Sequence, residues 1–173
     1  VLEIQRKTLE KPEIYFGLET EVRISEQIPV GESTGVDVPG QLWKRYHMEK
    51  ASIEANLNTT VEMGMSHTEG TAQNLFTYFA GGLVQNIPDR LQDGFVEREL
   101  SAGEYIVCRV EAENFEDLVT VALDQASKYL FGIWLPRHNL TTEPFSAEKY
   151  YRDLEGMACM GIWVKPLPLE NKC

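Results

Sequence analysis

The residues best suited to chemistry gather near the end of the chain. In the stretch 145–168, FSAEKYYRDLEGMACMGIWVKPLP, Glu148 and Tyr150 stand two residues apart, and an apolar run carrying Trp163 follows. A carboxylate among aromatic rings near a strand's end can hold a cation, although the border of an ordinary core has the same composition. Metal chemistry has no local support: His47, His67 and His138 are far apart and form no HxxxH or HExxH pattern. Cys108, Cys159 and Cys173 are an odd, widely spaced set without a CxxC, and they read as reduced thiols of a cytoplasmic protein. No nucleophile–base pair is evident, and no cofactor is expected.

Composition narrows the partners. The chain of 173 residues is 43% hydrophobic and 25% charged, the balance of a folding globular protein. Its formal charge of -11 is spread over both halves and would repel phosphate backbones, so direct nucleic-acid binding is not expected. No run of 18 apolar residues and no signal peptide appears, which argues against secretion and membrane spanning.

The elements that must position Glu148 and Tyr150 follow from periodicity. Residues 2–23 read as a first strand, broken near Pro12, with Ile14, Phe16 and Leu18 alternating. The turn-forming residues 27–40 predict a long loop. Pro39 opens an amphipathic helix over about 40–55, with Leu42, Trp43, Tyr46 and Ile53 on one face. Val61–Ser66 and Leu75–Val84 then predict two strands joined by a polar turn. The pattern recurs: strands over 95–100 and 105–111, an N-cap at Asn114, and a helix in which Phe115, Leu118, Val119, Ala122, Ala126, Tyr129, Leu130 and Ile133 keep unbroken helical spacing. That helix is expected to stop at Trp134-Leu135-Pro136, before strands over 145–151 and 158–164.

Two strand–helix–two-strand units, about 1–86 and 87–173, predict an α+β fold made by tandem duplication with pseudo-two-fold symmetry. Helices would cover one face and leave the other free, and a ligand cleft would open where two sheets meet at the seam. The two units use up the chain, so the expectation is a single domain over 1–173 without a DNA-binding domain, which the resemblance described next makes an effector-binding one.

The wording and order of these motifs resemble the gyrase-inhibitor-like proteins, related to the effector-binding domains of AraC- and MerR-type multidrug-responsive regulators. The resemblance rests on QLWKRY (41–46), FTYFAGGLV (76–84), ERELSAGEYIVCRVEAENFEDL (97–118), IWLPRHNL (133–140), AEKY (147–150) and GIWVKPL (161–167). It implies binding of lipophilic, often cationic, small molecules in aromatic pockets holding a carboxylate. Some relatives hydrolyse cyclopropane-bearing toxins with a Glu and an aromatic residue. The family's last strand usually carries a cavity-facing Glu where this chain has Gly161, an absence that gives the cavity more room. Glu148, matching the acid of the family's F-E-x-Y segment, becomes the first replacement, with Glu62 and Glu19 behind it.

The candidate ligand-binding set is therefore Trp43, Tyr46, Met63, Met65, Tyr78, Tyr105, Glu148, Tyr150, Gly161 and Trp163. Glu148 is also the catalytic candidate if the protein is a toxin hydrolase. A protein partner such as a regulator or gyrase, engaged by the acidic surface, is the third expectation.

Overall fold

The computed structural model describes residues 2–23, 38–68, 74–152 and 158–169. Most of the expected loop over 27–40, most of the polar turn after His67, and Cys173 lie outside the described residues. Eight strands form one continuous antiparallel sheet: β1 (Leu2–Leu9), β2 (Glu13–Arg23), β3 (Leu57–His67), β4 (Leu75–Val84), β5 (Val96–Leu100), β6 (Gly103–Ala112), β8 (Phe145–Tyr151) and β9 (Ala158–Val164). A separate small ribbon pairs β7 (Leu140–Thr142) with β10 (Pro166–Pro168). The expected first strand is two, and Pro12 lies in the connection between them, where its missing N–H costs no ladder bond.

Strand order is β1-β6-β9-β8-β3-β4-β2-β5. Strands of 1–86 meet strands of 87–173 at three pairs, β1 with β6, β3 with β8 and β2 with β5, so the central seam is the ordinary pair β3–β8 and not a gap between two sheets. One row of residues crosses six of the eight strands on one face: Cys108, Ile162, Glu148, Gly64, Ala80 and Leu18, in register from β6 to β2.

Two short connections force the sheet to curl. Three residues join β1 to β2, yet these strands lie six places apart in the order. Six strand spacings would be about 29 Å in a flat sheet, whereas the step from Leu9 to Glu13 spans at most about 14 Å. The same holds for β5 and β6, joined by Ser101 and Ala102 alone. The inside of the curl is a core of Tyr15, Met63, Met65, Phe79, Leu100, Tyr105, Val107, Ala147 and Trp163. The face expected to stay free is therefore buried by the sheet itself.

The other face carries both helices. Helix α1 (Val38–Glu49) lies chiefly over β2 and β4, burying Leu42 and Tyr46 against Phe16, Leu18, Tyr78 and Ala80. Two 3-10 turns, Lys50–Ser52 and Glu54–Asn56, carry its line to β3. The second helical segment, 115–137, lies chiefly over β6 and β9, with Leu118, Ala126, Leu130 and Leu135 on Ile106, Cys108, Val110 and Ile162. The Asn114 side chain accepts from Asp117 N at 2.8 Å, the expected cap.

This second helix is not the unbroken α-helix that its spacing predicts. Leu118–Ala122 and Leu130–Trp134 are π-helical, and the wider turns rotate Phe115 and Ile133 off the buried stripe. It ends at Arg137, one residue past the expected stop. Pro136 lies in the last turn, Leu135–Arg137, which continues directly from Trp134.

Candidate functional site

Among the described residues α1 lies over β2 and β4 and the second helical segment over β6 and β9, so the strip of this face on β3 and β8 is flanked by both helices and forms the floor of a groove between them. Strand alternation puts Glu62, Gly64 and Ser66 of β3 beside Tyr150, Glu148 and Ser146 of β8. At the centre, Gly64 faces Glu148 directly.

Gly64 makes room for an aromatic lid on the floor. A Cβ there would stand 2.3 Å from the Tyr78 hydroxyl and 3.4 Å from Cζ2 of Trp43, so glycine alone lets the Tyr78 ring lean from β4 across β3. Trp43 reaches down from α1 and donates its Nε1–H to that hydroxyl at 2.8 Å. The indole also meets Tyr150 edge-on, with centroids 5.7 Å apart, meets Tyr46 edge-on at 5.8 Å, and stacks on His47 at 5.7 Å. Trp43 packs against the cores of both halves, which makes it the link across the groove. Phe115 of the second helix closes the far side, 5.9 Å from Tyr150 and half exposed.

Glu148 sits within this aromatic surround and accepts a hydrogen bond from Tyr150 Oη at 2.7 Å. Burial pushes its pKa above the ordinary carboxylate range, while the Tyr150 hydrogen bond pulls the other way. The residue nonetheless keeps partial access to water. Among the described residues no basic side chain pairs with it. A carboxylate that is desolvated, uncompensated and reachable is an unmet charge in search of a cation.

Glu62, its neighbour on the floor, is different. It is 4% exposed and already engaged by Arg152, with His47 Nδ1 at 3.7 Å and Lys50 Nζ at 3.9 Å. Glu19 lies on the inner face and is held by Arg98. Neither is an open counter-charge.

The ten sequence-selected residues thus divide between two faces. Trp43, Tyr78, Glu148 and Tyr150 come together in the groove, and Tyr46 is buried at its edge with its hydroxyl over Gly82. Met63, Met65, Tyr105, Gly161 and Trp163 belong to the inner face and cannot share that groove. Gly161 pairs with Lys149, one residue out of phase with Glu148, and the space above it is filled by Trp163 and Val107, at 3.0 and 3.2 Å from where its Cβ would stand. Its absent side chain therefore gives room to the Trp163 indole and not to a ligand.

Sequence reasoning missed Gly64, His47, Phe115 and Arg152. Period-two spacing could have found Arg152, because Glu148, Tyr150 and Arg152 alternate. Missed too was the inner-face Lys149, 4% exposed, which pairs with Glu13 and stands 3.8 Å over the Trp163 ring. A cavity of about 160 Å³ lined by Met65, His67, Glu99, Ser101, Pro144 and Phe145 opens at the β3 end of the curl, away from Glu148. Among the described residues no group of three or more His, Cys, Asp or Glu could hold a metal ion, and no helix is long and apolar enough to cross a membrane.

Comparison with known proteins agrees with this architecture. The protein SAV2435, solved with tetraphenylphosphonium bound, superposes with a TM-score of 0.66 at 16% identity, covering 98% of this chain and 97% of the other. An integron cassette protein from Vibrio cholerae matches at 0.61 and 14% identity, covering 95% of each chain. The C-terminal domain of EcmrR matches at 0.60 and 12% identity, covering 97% and 99%. No curated protein sequence matches. The family model of the GyrI-like small-molecule-binding domain aligns with residues 6–165, nearly the full length, and the chain belongs to that family.

Proposed function

We propose that this groove binds lipophilic organic cations, with Glu148 as the counter-charge and Trp43, Tyr78 and Tyr150 as the aromatic walls. The observation that carries the reading is the Glu148 carboxylate itself: raised in pKa by burial, held by Tyr150, and without a basic partner among the described residues. A delocalised cation sheds little hydration on entry and gains roughly 4 kcal/mol from a carboxylate at 4 Å in an effective dielectric of 20. Desolvating the carboxylate offsets much of this in a free protein, but here folding has already met that cost. Each ring face adds on the order of 0.5–2 kcal/mol. The binding of tetraphenylphosphonium by SAV2435 supports the reading by analogy of fold. We read the two units as repeats of one effector-binding domain whose seam is the site.

Titrating the protein with tetraphenylphosphonium while following tryptophan fluorescence tests this. Saturable quenching that Glu148→Gln weakens is expected. No quenching across a panel of bulky cations would overturn the reading.

One observation also favours the hydrolase alternative. Glu148 with a raised pKa, 2.7 Å from a tyrosine hydroxyl, is a suitable base to activate water against an electrophilic ring. Incubation with a cyclopropane-bearing substrate should then yield ring-opened product above a protein-free control.

A further inference from the structure

Strand β8 and the residue that follows it lay three unlike side chains along the groove: acidic Glu148, aromatic Tyr150 and basic Arg152. The alternation continues past Tyr151 because Arg152 N still donates to Thr60 O of β3 at 3.0 Å. The Cα atoms of Glu148 and Arg152 are then about 13 Å apart, at about 3.3 Å per residue.

Among the described residues the two ends carry opposite charge that is not fully paired. Glu148 has no basic partner among the described residues, as set out above. At the other end, Arg152 and Lys50 share the single negative charge of Glu62. His47 adds no compensating charge. Its Nε2 lies 3.4 Å from Arg152 Nη2 and accepts from it as a neutral imidazole. In the ion pairs formed among the described residues, two permanent cations face one carboxylate, an excess of one positive charge. Arg152 is 44% exposed at its side chain, and its guanidinium stands 5.5 Å from the Phe115 ring, which continues the aromatic wall from Tyr150.

We propose that the groove selects amphoteric aromatic compounds, in which an organic cation settles at Glu148 and an anionic group, a carboxylate in the simplest case, lies on the order of 10 Å away against Arg152 and Lys50. This rests on the cation reading above. A purely cationic ligand long enough to fill the groove meets the positive excess at the Arg152 end. A carboxylate there accepts from the guanidinium fork and removes that excess.

Rhodamine B and its ethyl ester test the idea, because both carry the xanthylium cation and only the former carries a carboxylate. Binding by fluorescence anisotropy should be about tenfold tighter for rhodamine B. Arg152→Gln should bring the ratio close to one, and Lys50→Gln, which leaves the Arg152–Glu62 pair in place, should reduce it. Glu148→Gln should weaken both dyes and preserve the ratio. Thermal unfolding of each variant confirms that it folds. Equal or tighter binding of the ester to the wild type, or a ratio unmoved in both basic-residue variants, would overturn the inference while leaving the cation reading intact. Failure of both dyes to bind would overturn the two together.

Discussion

Glu148 and Gly64 face each other across the β3–β8 seam, one supplying the only floor carboxylate without a basic partner among the described residues and the other supplying no side chain. They lie on the two central strands of the eight, β8 and β3. The groove is thus chemically lopsided although its strand order is balanced: one half gives the charge, and the other gives the space that Tyr78 fills.

Removing the charge should separate affinity from stability. Glu148→Gln keeps the shape and the Tyr150 contact but loses the attraction, so tetraphenylphosphonium affinity should fall at least about tenfold, about 1.4 kcal/mol, by isothermal titration. The fold should not suffer, because a neutral amide no longer pays for a desolvated charge. An unfolding temperature equal to or above the wild type is expected.

The pH dependence has a definite sign. Burial raises the Glu148 pKa above its unfolded value, so the native state holds that proton more tightly. This group therefore makes the protein more stable as pH falls through the raised pKa, while cation affinity falls over the same window because the carboxylate is neutralised. His47, whose pKa burial lowers despite nearby Glu62, would add positive charge only at lower pH, acting in the same direction on cations. Titrations of cation affinity against pH should show a fall that Glu148→Gln abolishes. A retained fall in that variant would assign it to His47.

Gly64→Ala tests the Tyr78 lid. Its Cβ would collide with the hydroxyl 2.3 Å away, and Tyr78 must swing out and break the Trp43 hydrogen bond. A loss of about 1–3 kcal/mol in denaturant unfolding is expected, with a shifted tryptophan emission.

The two faces should report separately. Trp43 lies in the groove and Trp163 inside the curl. Trp43→Phe should abolish ligand-dependent quenching, whereas Trp163→Phe should retain it. Quenching that survives the first and vanishes in the second would place the ligand on the inner face.

Lys149→Ala gives the complementary result. Its ammonium pairs with Glu13 and stacks over Trp163, and deleting it leaves Glu13 without that partner. Stability should drop by about 3 kcal/mol, while cation affinity stays within about twofold.

How far the chain could be read residue by residue is visible in β8 and β9. The segment FSAEKYY and the apolar run ACMGIWV were placed as strands, and two-residue spacing puts Glu148 with Tyr150 on one face. Asn114 announced its cap, and Gly-rich FAGGLV marked β4. The second helix misled, because seven- and four-residue spacings do not distinguish α from π turns once the apolar positions are dense.

Taken alone, the amino-acid sequence determined the elements, the family resemblance and the pairing of a carboxylate with aromatic rings, since these follow from local periodicity and residue type. Only the tertiary structure decided which face those rings share. Alternation assigns odd and even residues to opposite sides but is silent on what covers each side. That was settled by two short connections, 10–12 and 101–102, which curl the sheet and bury Trp163, Met63 and Tyr105 inside it. The same curl leaves Glu148 with Trp43 and Tyr78 on the outer face, where among the described residues the two helices flank it, because register across the seam is a long-range property that no stretch of sequence contains.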